Sequence, residues 1–99
     1  MMKLDILEIA RKDIWNIAQK HKTLVGVNSG KKITDKIRNY LGLLKNNPYL
    51  GKECTEYPLN DKNFRCLICG VYLCFYKIEE NRIVVYRIID GRTDYIRFF

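Results

Sequence analysis

Cysteines are the residues of this chain whose spacing most directly suggests chemistry. Cys66 and Cys69 have the Cys-x-x-Cys spacing of zinc and redox sites, and Cys54 and Cys74 could supply further ligands. Residues three apart on a strand point to opposite faces, however, and no helix is predicted to begin here and lower a thiol pKa. We therefore expect reduced cysteines that pack as small apolar side chains, with no metal site and no redox role.

The single histidine offers little for nucleophilic catalysis. His21 lies between Lys20 and Lys22 at the end of a predicted helix, where a lone histidine is usually a solvated side chain. A Ser-His-Asp or Cys-His pair needs a base within hydrogen-bond reach of the nucleophile, and the sequence indicates no such pair. Walker A and Rossmann glycine patterns are also absent, so we expect no cofactor and no ordinary hydrolase chemistry.

Arginines of the C-terminal third are better candidates, because the planar guanidinium donates paired hydrogen bonds to phosphate and carboxylate groups. The positions are Arg65, Arg87, Arg92 and Arg97. Arg87 is the most unusual of them, since it interrupts an otherwise apolar strand and a half-buried charge requires a partner. We expect it to pair with a carboxylate such as Asp94 or Asp5. The alternative is that it lines a functional groove.

Apolar periodicity predicts the elements that position these residues. Met2–Leu7 fits a short strand, and a first helix follows and ends near Lys22. Its apolar stripe is Ala10, Ile14, Ile17 and Ala18, and its outer face carries Arg11, Lys12, Asp13, Asn16 and Lys20. Trp15 lies off the stripe, and we expect it to cover the edge of the core rather than to contact a partner.

A second helix is predicted to begin at the N-cap oxygens of Asn28 and Ser29 and to stop near Lys45, before Pro48. Its buried stripe is Ile33, Ile37, Tyr40, Leu41 and Leu44. The stretch from 49 to 63 contains glycine, proline and a polar run, which predict an irregular, mobile loop.

Three strands, Phe64–Cys69, Val71–Ile78 and Arg82–Ile89, are separated by short turn signals and should form an antiparallel meander. The prediction is a single α+β domain over residues 1–99, in the order β-α-α-β-β-β, with a helical hairpin packed on a small, mainly antiparallel sheet.

Charge and hydropathy limit the kind of partner. Lysine and arginine number 18 against 11 acidic residues, a net charge of +7, which favours a polyanionic or acidic partner. The longest stretch without charge is Cys66–Tyr76, well short of the ~20 residues of a transmembrane helix. Residues Met1–Leu7 lack the apolar core of a signal peptide. We therefore expect no membrane association and a cytoplasmic location.

Several weak signals near the C-terminus share one order and spacing. They are a Tyr-x-x-Phe-Tyr strand, a strand rich in isoleucine and valine, and a Gly-Arg-x-Asp tail. The residues at these places are Tyr72, Phe75, Tyr76, Arg87, Gly91, Arg92 and Asp94. In this respect the chain resembles the RelE/ParE superfamily of toxins. The resemblance implies the toxin of a type II toxin–antitoxin system of the plasmid-stabilisation type, with a cognate antitoxin as partner.

One departure favours the ParE branch. RelE-like members cleave messenger RNA on the ribosome without metal and usually have an arginine after the first tyrosine of this strand, where this chain has Leu73. ParE-like members inhibit DNA gyrase, which is the partner we expect, although Thr93 replaces a second arginine common in their tails. The resemblance implies target-binding roles for Arg65, Arg87, Arg92, Asp94, Tyr95 and Arg97.

Two alternatives to gyrase inhibition remain open. In the first, the partners are the ribosome and messenger RNA, and the catalytic residues would be Arg65, Arg87, Arg92 and Tyr95. In the second, the chain is a degenerate, non-toxic relic that only binds its antitoxin.

Overall fold

The computed structural model describes residues 1–99, and its helices and strands follow the predicted order with one addition. The elements are β1 Lys3–Ile6, α1 Glu8–Leu24, α2 Val27–Leu43, β2 Lys52–Glu53, β3 Arg65–Cys69, β4 Tyr72–Glu79 and β5 Arg82–Asp90. Short 3₁₀ turns occupy Asn60–Lys62 and Tyr95–Phe98. The prediction of an α+β fold, with a helical hairpin on a mainly antiparallel sheet, is confirmed.

The sheet has the strand order β1-β5-β4-β3-β2, with β1 parallel to β5 and every other pair antiparallel. β2 is the addition, and it pairs only with Arg65 and Cys66 of β3. β2 lies in the stretch predicted to be an irregular, mobile loop. The sequence does not reveal this strand, because two residues are too few to show an alternating pattern. The prediction also misses that Leu59 of the same stretch is buried, with 1% of its surface exposed.

The helices cover one face of the sheet and build the larger core there. They contribute Ala10, Ile14, Ile37, Leu41 and Leu44, while the sheet contributes Leu67, Cys69, Tyr72, Cys74, Tyr76, Ile83, Val85 and Ile88. All of these residues are buried. Those of the helices share one side because positions three and four apart on a helix face the same way. Each helix has 17 residues and a charged outer face, and neither has the length and apolar content needed to cross a membrane.

The connection between the helices is tighter than predicted. α1 continues two residues past Lys22, and α2 begins before Asn28 and Ser29, neither of which makes a side-chain cap. Gly26 occupies the cap position instead, with φ +145°, a conformation that L side chains rarely adopt. Its N–H donates to the His21 carbonyl at 3.1 Å, which closes the end of α1. The hairpin turn is therefore fixed by its backbone.

The opposite face of the sheet is covered by irregular chain. Leu59, Phe64, Phe75 and Ile89 form a second buried cluster there. The C-terminal tail closes over it, with the ring of Phe99 4.9 Å from that of Phe75 and 5.0 Å from that of Phe64. The sequence predicts no layer on this face, because neither the tail nor the connection before β3 has a periodic pattern.

Candidate functional site

Arg87 lies at a β-bulge, where the pairing between β4 and β5 shifts by one residue. Phe75 is opposite Arg87 and Tyr76 is opposite Val85, so Tyr86 has no opposite residue. An extra residue of this kind re-aims the side chains beside it. The bulge explains how an arginine fits into an apolar strand without entering the core on the helix side.

The Arg87 guanidinium forms a paired ion contact with Asp13 of α1. Its Nε and Nη2 donate to Asp13 Oδ2 and Oδ1 at 2.8 and 3.0 Å. The two side chains are 18% and 13% exposed. The hydrogen bond to Asp13 raises the pKa of Arg87 and so favours its charged form. Arg87 does pair with a carboxylate, but the predicted partners Asp94 and Asp5 are wrong.

Asp13 also occupies the edge of β5 where a neighbouring strand is missing. β1 ends at Ile6, and the N–H of Leu7 makes a last strand-like bond to the Val85 carbonyl at 3.0 Å. Beyond that point the Ile88 N–H donates to Asp13 Oδ2 at 2.9 Å. The prediction that Asp13 lies on the outer face of the helix is therefore wrong, since the carboxylate serves the open strand edge.

Arg65 holds the chain that precedes β3. Its Nε donates to the Gly51 carbonyl at 3.1 Å, and its Nη2 donates to the Tyr49 carbonyl at 3.3 Å. The guanidinium carbon lies 5.1 Å from the centre of the Tyr49 ring, and Glu53 forms an ion pair at 3.6 Å. With 16% of the side chain exposed, most of its donor capacity is used inside the protein.

Arg92 is bound to Asp90 at the beginning of the tail. Its Nε and Nη2 donate to Asp90 Oδ1 and Oδ2 at 3.0 and 2.6 Å, and its backbone N–H adds a bond of 2.9 Å. These hydrogen bonds lower the pKa of Asp90 to about 2. The Arg92 side chain nevertheless remains 70% exposed, so part of the guanidinium faces solvent.

Tyr95 fixes the middle of the tail. Its hydroxyl donates to Glu56 Oε1 at 2.8 Å, and its ring lies 5.4 Å from the ring of Phe75. The hydrogen bond to Glu56 and partial burial raise the pKa of Tyr95 to about 12, so the hydroxyl is a poor proton donor near neutral pH. The residue joins the tail to the connection before β3.

Asp94 and Arg97 are exposed on the tail. The Arg97 guanidinium lies 5.1 Å from the centre of the Phe98 ring, and Arg87 lies 5.0 Å from the same ring. Phe98 therefore contacts both arginines, which is a favourable arrangement of cations and an aromatic ring. These contacts connect the ion pair of β5 to the end of the chain.

The structure distributes the predicted site residues over three places. Arg87, Tyr95 and Arg97 lie at the tail and the face it covers, and Arg65 lies at the beginning of β3. Arg92 comes two residues after Asp90, which pairs with Tyr72, whereas Arg65 pairs with Tyr76. Those two tyrosines are four residues apart on β4, a separation of about 13 Å. Arg65 and Arg92 therefore lie at different places on the sheet, while Arg87 and Arg97 meet at the Phe98 ring.

His21 is not the solvated side chain that the sequence suggests. Its Nε2 lies 2.9 Å from the Tyr72 hydroxyl and its Nδ1 lies 3.2 Å from Ser29 Oγ, which joins both helices to the sheet. A cavity of about 150 Å³ adjoins this contact and is lined by Lys20, His21, Leu24, Val25, Tyr72 and Arg92. Sequence reasoning missed the site because Tyr72 is 51 positions away in the chain.

Trp15 is 63% exposed on α1, so the prediction that it covers the core edge is wrong. The cysteines behave as predicted in one respect. Cys69 packs in the core on the helix side, while Cys66 packs beside the cluster on the other face, so the two thiols diverge. Burial raises the pKa of Cys66 to about 12, and the structure contains no group of three ligand-type side chains suited to a metal ion.

Comparison with known proteins gives a family. The model of the ParE toxin of the type II toxin–antitoxin system parDE matches residues 4–95, which is nearly the whole chain. The chain belongs to the ParE toxin family. A comparison with curated proteins found no match.

Among solved structures, the chain is similar to one from the chromosomal ParDE toxin–antitoxin system of P. aeruginosa. The sequence identity is 20%, the TM-score is 0.78, and the match covers 91% of this chain and 96% of that one. At this identity the likeness supports the fold. The predicted membership of the RelE/ParE superfamily, on the ParE side, is confirmed by the family match.

Proposed function

We propose that this ParE-family toxin arrests bacterial growth by binding DNA gyrase in the cytoplasm, and that it does not cleave RNA. The supporting observation is that three of the four residues named for metal-free RNA cleavage are partly buried and bound to other groups of the protein. Arg65 donates to backbone carbonyls, Arg87 to Asp13 and Tyr95 to Glu56.

Metal-free cleavage needs free donors aimed at the reacting phosphate, because charge and position are then the only means of stabilising the transition state. Leu73 occupies the place where ribonuclease members of the superfamily have an arginine, and its side chain packs toward the cluster beneath the tail. The position therefore provides no charge. A toxin that acts by binding needs a surface complementary to its target and does not need a set of catalytic side chains.

The tail is the part of the proposed target-binding set that is open to a large partner. Arg92, Asp94 and Arg97 are exposed, whereas Arg65, Arg87 and Tyr95 are partly buried and engaged. We assign the exposed residues to gyrase contact and the engaged residues to holding the tail in place. Fixing a binding segment before the partner arrives lowers the entropy cost of association.

The second proposed partner is the antitoxin of a ParDE-type pair. The net charge of +7 suits an acidic segment. Two surfaces of the toxin are candidates for docking. One is the edge of β3 beyond Cys66, which has no partner strand and could accept an added strand. The other is the helical hairpin with its exposed lysines.

Expression in bacteria with and without the antitoxin tests the proposal. Growth should stop when the toxin is expressed alone, plasmid DNA should become relaxed, and co-expression of the antitoxin should restore both. Primer extension on translated messages should show no new cuts. Codon-phased cuts made by the native protein would support the alternative of ribosome-dependent cleavage, and harmless expression at high level would indicate a non-toxic relic.

A further inference from the structure

The α1–α2 turn presents a group of aliphatic side chains to solvent. Leu24, Val25 and Val27 are 72%, 74% and 68% exposed. Single exposed apolar residues are ordinary, but three within four positions form a patch of the kind that marks interaction sites. We refer to Leu24, Val25 and Val27, with the surrounding lysines, as the turn surface.

Charge around these aliphatic residues is mainly positive, although Asp35 lies in the same depression as Val27 and Lys22. Residues 20–34 contain four lysines and no aspartate or glutamate. Arg92 adds a partly exposed guanidinium across the cavity that Lys20, Leu24 and Val25 also line. Arg92 pairs with Asp90, so these two charges largely cancel and the net positive charge of the surface comes from the lysines. A ligand of this surface therefore meets aliphatic side chains with positive charge around them.

The turn surface is held in a fixed shape. The N–H groups of Val25 and Gly26 both donate to the His21 carbonyl, at 2.9 and 3.1 Å. The His21 ring in turn lies within hydrogen-bond distance of Tyr72 on the sheet and Ser29 on α2. The aliphatic side chains are thus presented by a braced turn, which reduces the ordering cost of binding.

We propose that the turn surface docks an acidic peptide segment that carries aliphatic residues, with a carboxylate near Lys20 and Arg92 and the aliphatic groups on Leu24 and Val25. This inference rests on the proposed function, in which the segment belongs to the antitoxin. It names one of the two candidate docking surfaces, the hairpin turn, as the antitoxin site.

Other occupants fit the turn surface less well. Single-stranded nucleic acid binds by stacking bases on aromatic rings, and the exposed residues here are aliphatic. A second copy would bring four lysines against four lysines in a symmetric contact. Interfacial membrane binding uses a long amphipathic helix with aromatic residues, whereas this patch is one short turn. The charge and the aliphatic groups together select an acidic protein segment.

Affinity for the antitoxin encoded beside this gene tests the docking site. Purified native toxin is titrated with that antitoxin by calorimetry, next to the variants Val25→Glu and Lys20→Glu/Lys22→Glu. Each variant should weaken binding at least tenfold, because it places negative charge where the acidic segment docks. Raising the salt concentration should weaken binding of the native protein and affect the double lysine variant less.

Two further variants separate the possible outcomes. Lys62→Glu makes the same charge reversal in the 3₁₀ turn before β3, away from the turn surface, and should bind within twofold of native. Ile68→Glu places a charge on the open edge of β3 and should also bind like native. Equal melting temperatures confirm that each variant is folded.

Native affinity in Val25→Glu and in the lysine variant would overturn the inference, and loss confined to Ile68→Glu would assign the antitoxin to the β3 edge. Absence of binding by the native protein would instead count against the proposed toxin–antitoxin function itself.

Discussion

The two faces of the sheet are covered by different kinds of structure. One face is packed by two regular helices whose apolar positions recur at helical spacing, and residues such as Ile37 and Leu41 are fully buried. The other is covered by irregular chain, in which Phe99 and Tyr95 make aromatic contacts and hydrogen bonds with distant residues. The helix face supplies most of the core, while the tail face holds Tyr95 and Arg97, two of the residues to which we assign target-related roles.

The largest effect is expected on the helix face. Leu41→Ala removes a side chain with no exposed surface and should lower the free energy of unfolding by about 4 kcal/mol, since such a cavity cannot fully collapse. Urea unfolding measures the change. A loss below about 1 kcal/mol would break the comparison, because the helix face would then not be the main stabilising layer.

The ion pair that joins the two faces should come next. Asp13→Ala leaves Arg87 with a largely buried charge and Ile88 without an acceptor, and should cost about 3 kcal/mol. Asp13→Asn is the matched variant, because its amide oxygen can still accept from Ile88. It should cost clearly less in the same unfolding experiment. Equal losses would mean that the strand-edge bond contributes nothing measurable.

Phe99→Ala tests the tail face with a smaller expected loss. The ring contacts Phe64 and Phe75 but is only partly buried, so the free energy of unfolding should fall by about 2 kcal/mol, less than for a full core aromatic. Amide hydrogen exchange should show faster exchange in residues 91–99 and little change in the helices. Equal acceleration in both helices would show that the two faces unfold as one unit.

The smallest effect concerns pH. The pKa of Asp90 lies near 2 in the folded protein, below the ordinary value of 3.8. The contribution of the ionised carboxylate is therefore present above pH 3.8 and is lost as the pH falls toward 2. Asp90→Asn should flatten the pH dependence of the melting temperature between pH 2 and 3.8, and the slope at pH 7–8 should be the same in both proteins. An identical profile for the two proteins would contradict the lowered pKa of Asp90.

The same contrast explains what the sequence could predict. Both helices and the β3–β5 meander carry periodic or alternating signals, so their order and the buried stripe containing Ile37 and Leu41 were predictable. Helical periodicity alone places Asp13 on the outer face, because it does not show a strand edge that needs an acceptor. The sequence indicates a solvated His21 for a similar reason, since its partner Tyr72 lies far away in the chain.

The candidate site was harder to predict than the fold. Family resemblance indicated the tail and the four arginines, but the sequence did not show which of these side chains are engaged and which are open. That difference arises from tertiary contacts, such as the carbonyl groups that bind Arg65. The sequence likewise does not show that Trp15 and the hairpin turn are exposed, because exposure depends on tertiary packing and not on a local pattern.

The most direct measurement of the central claim is DNA supercoiling by purified gyrase in the presence of increasing toxin. The native protein should inhibit supercoiling, and Arg92→Ala should require about tenfold more protein for half inhibition, equivalent to roughly 1.4 kcal/mol of lost interface energy. Lys62→Glu, outside the tail, should inhibit like native. Unimpaired supercoiling at saturating native toxin, or equal inhibition by Arg92→Ala, would contradict the proposal that the tail binds gyrase.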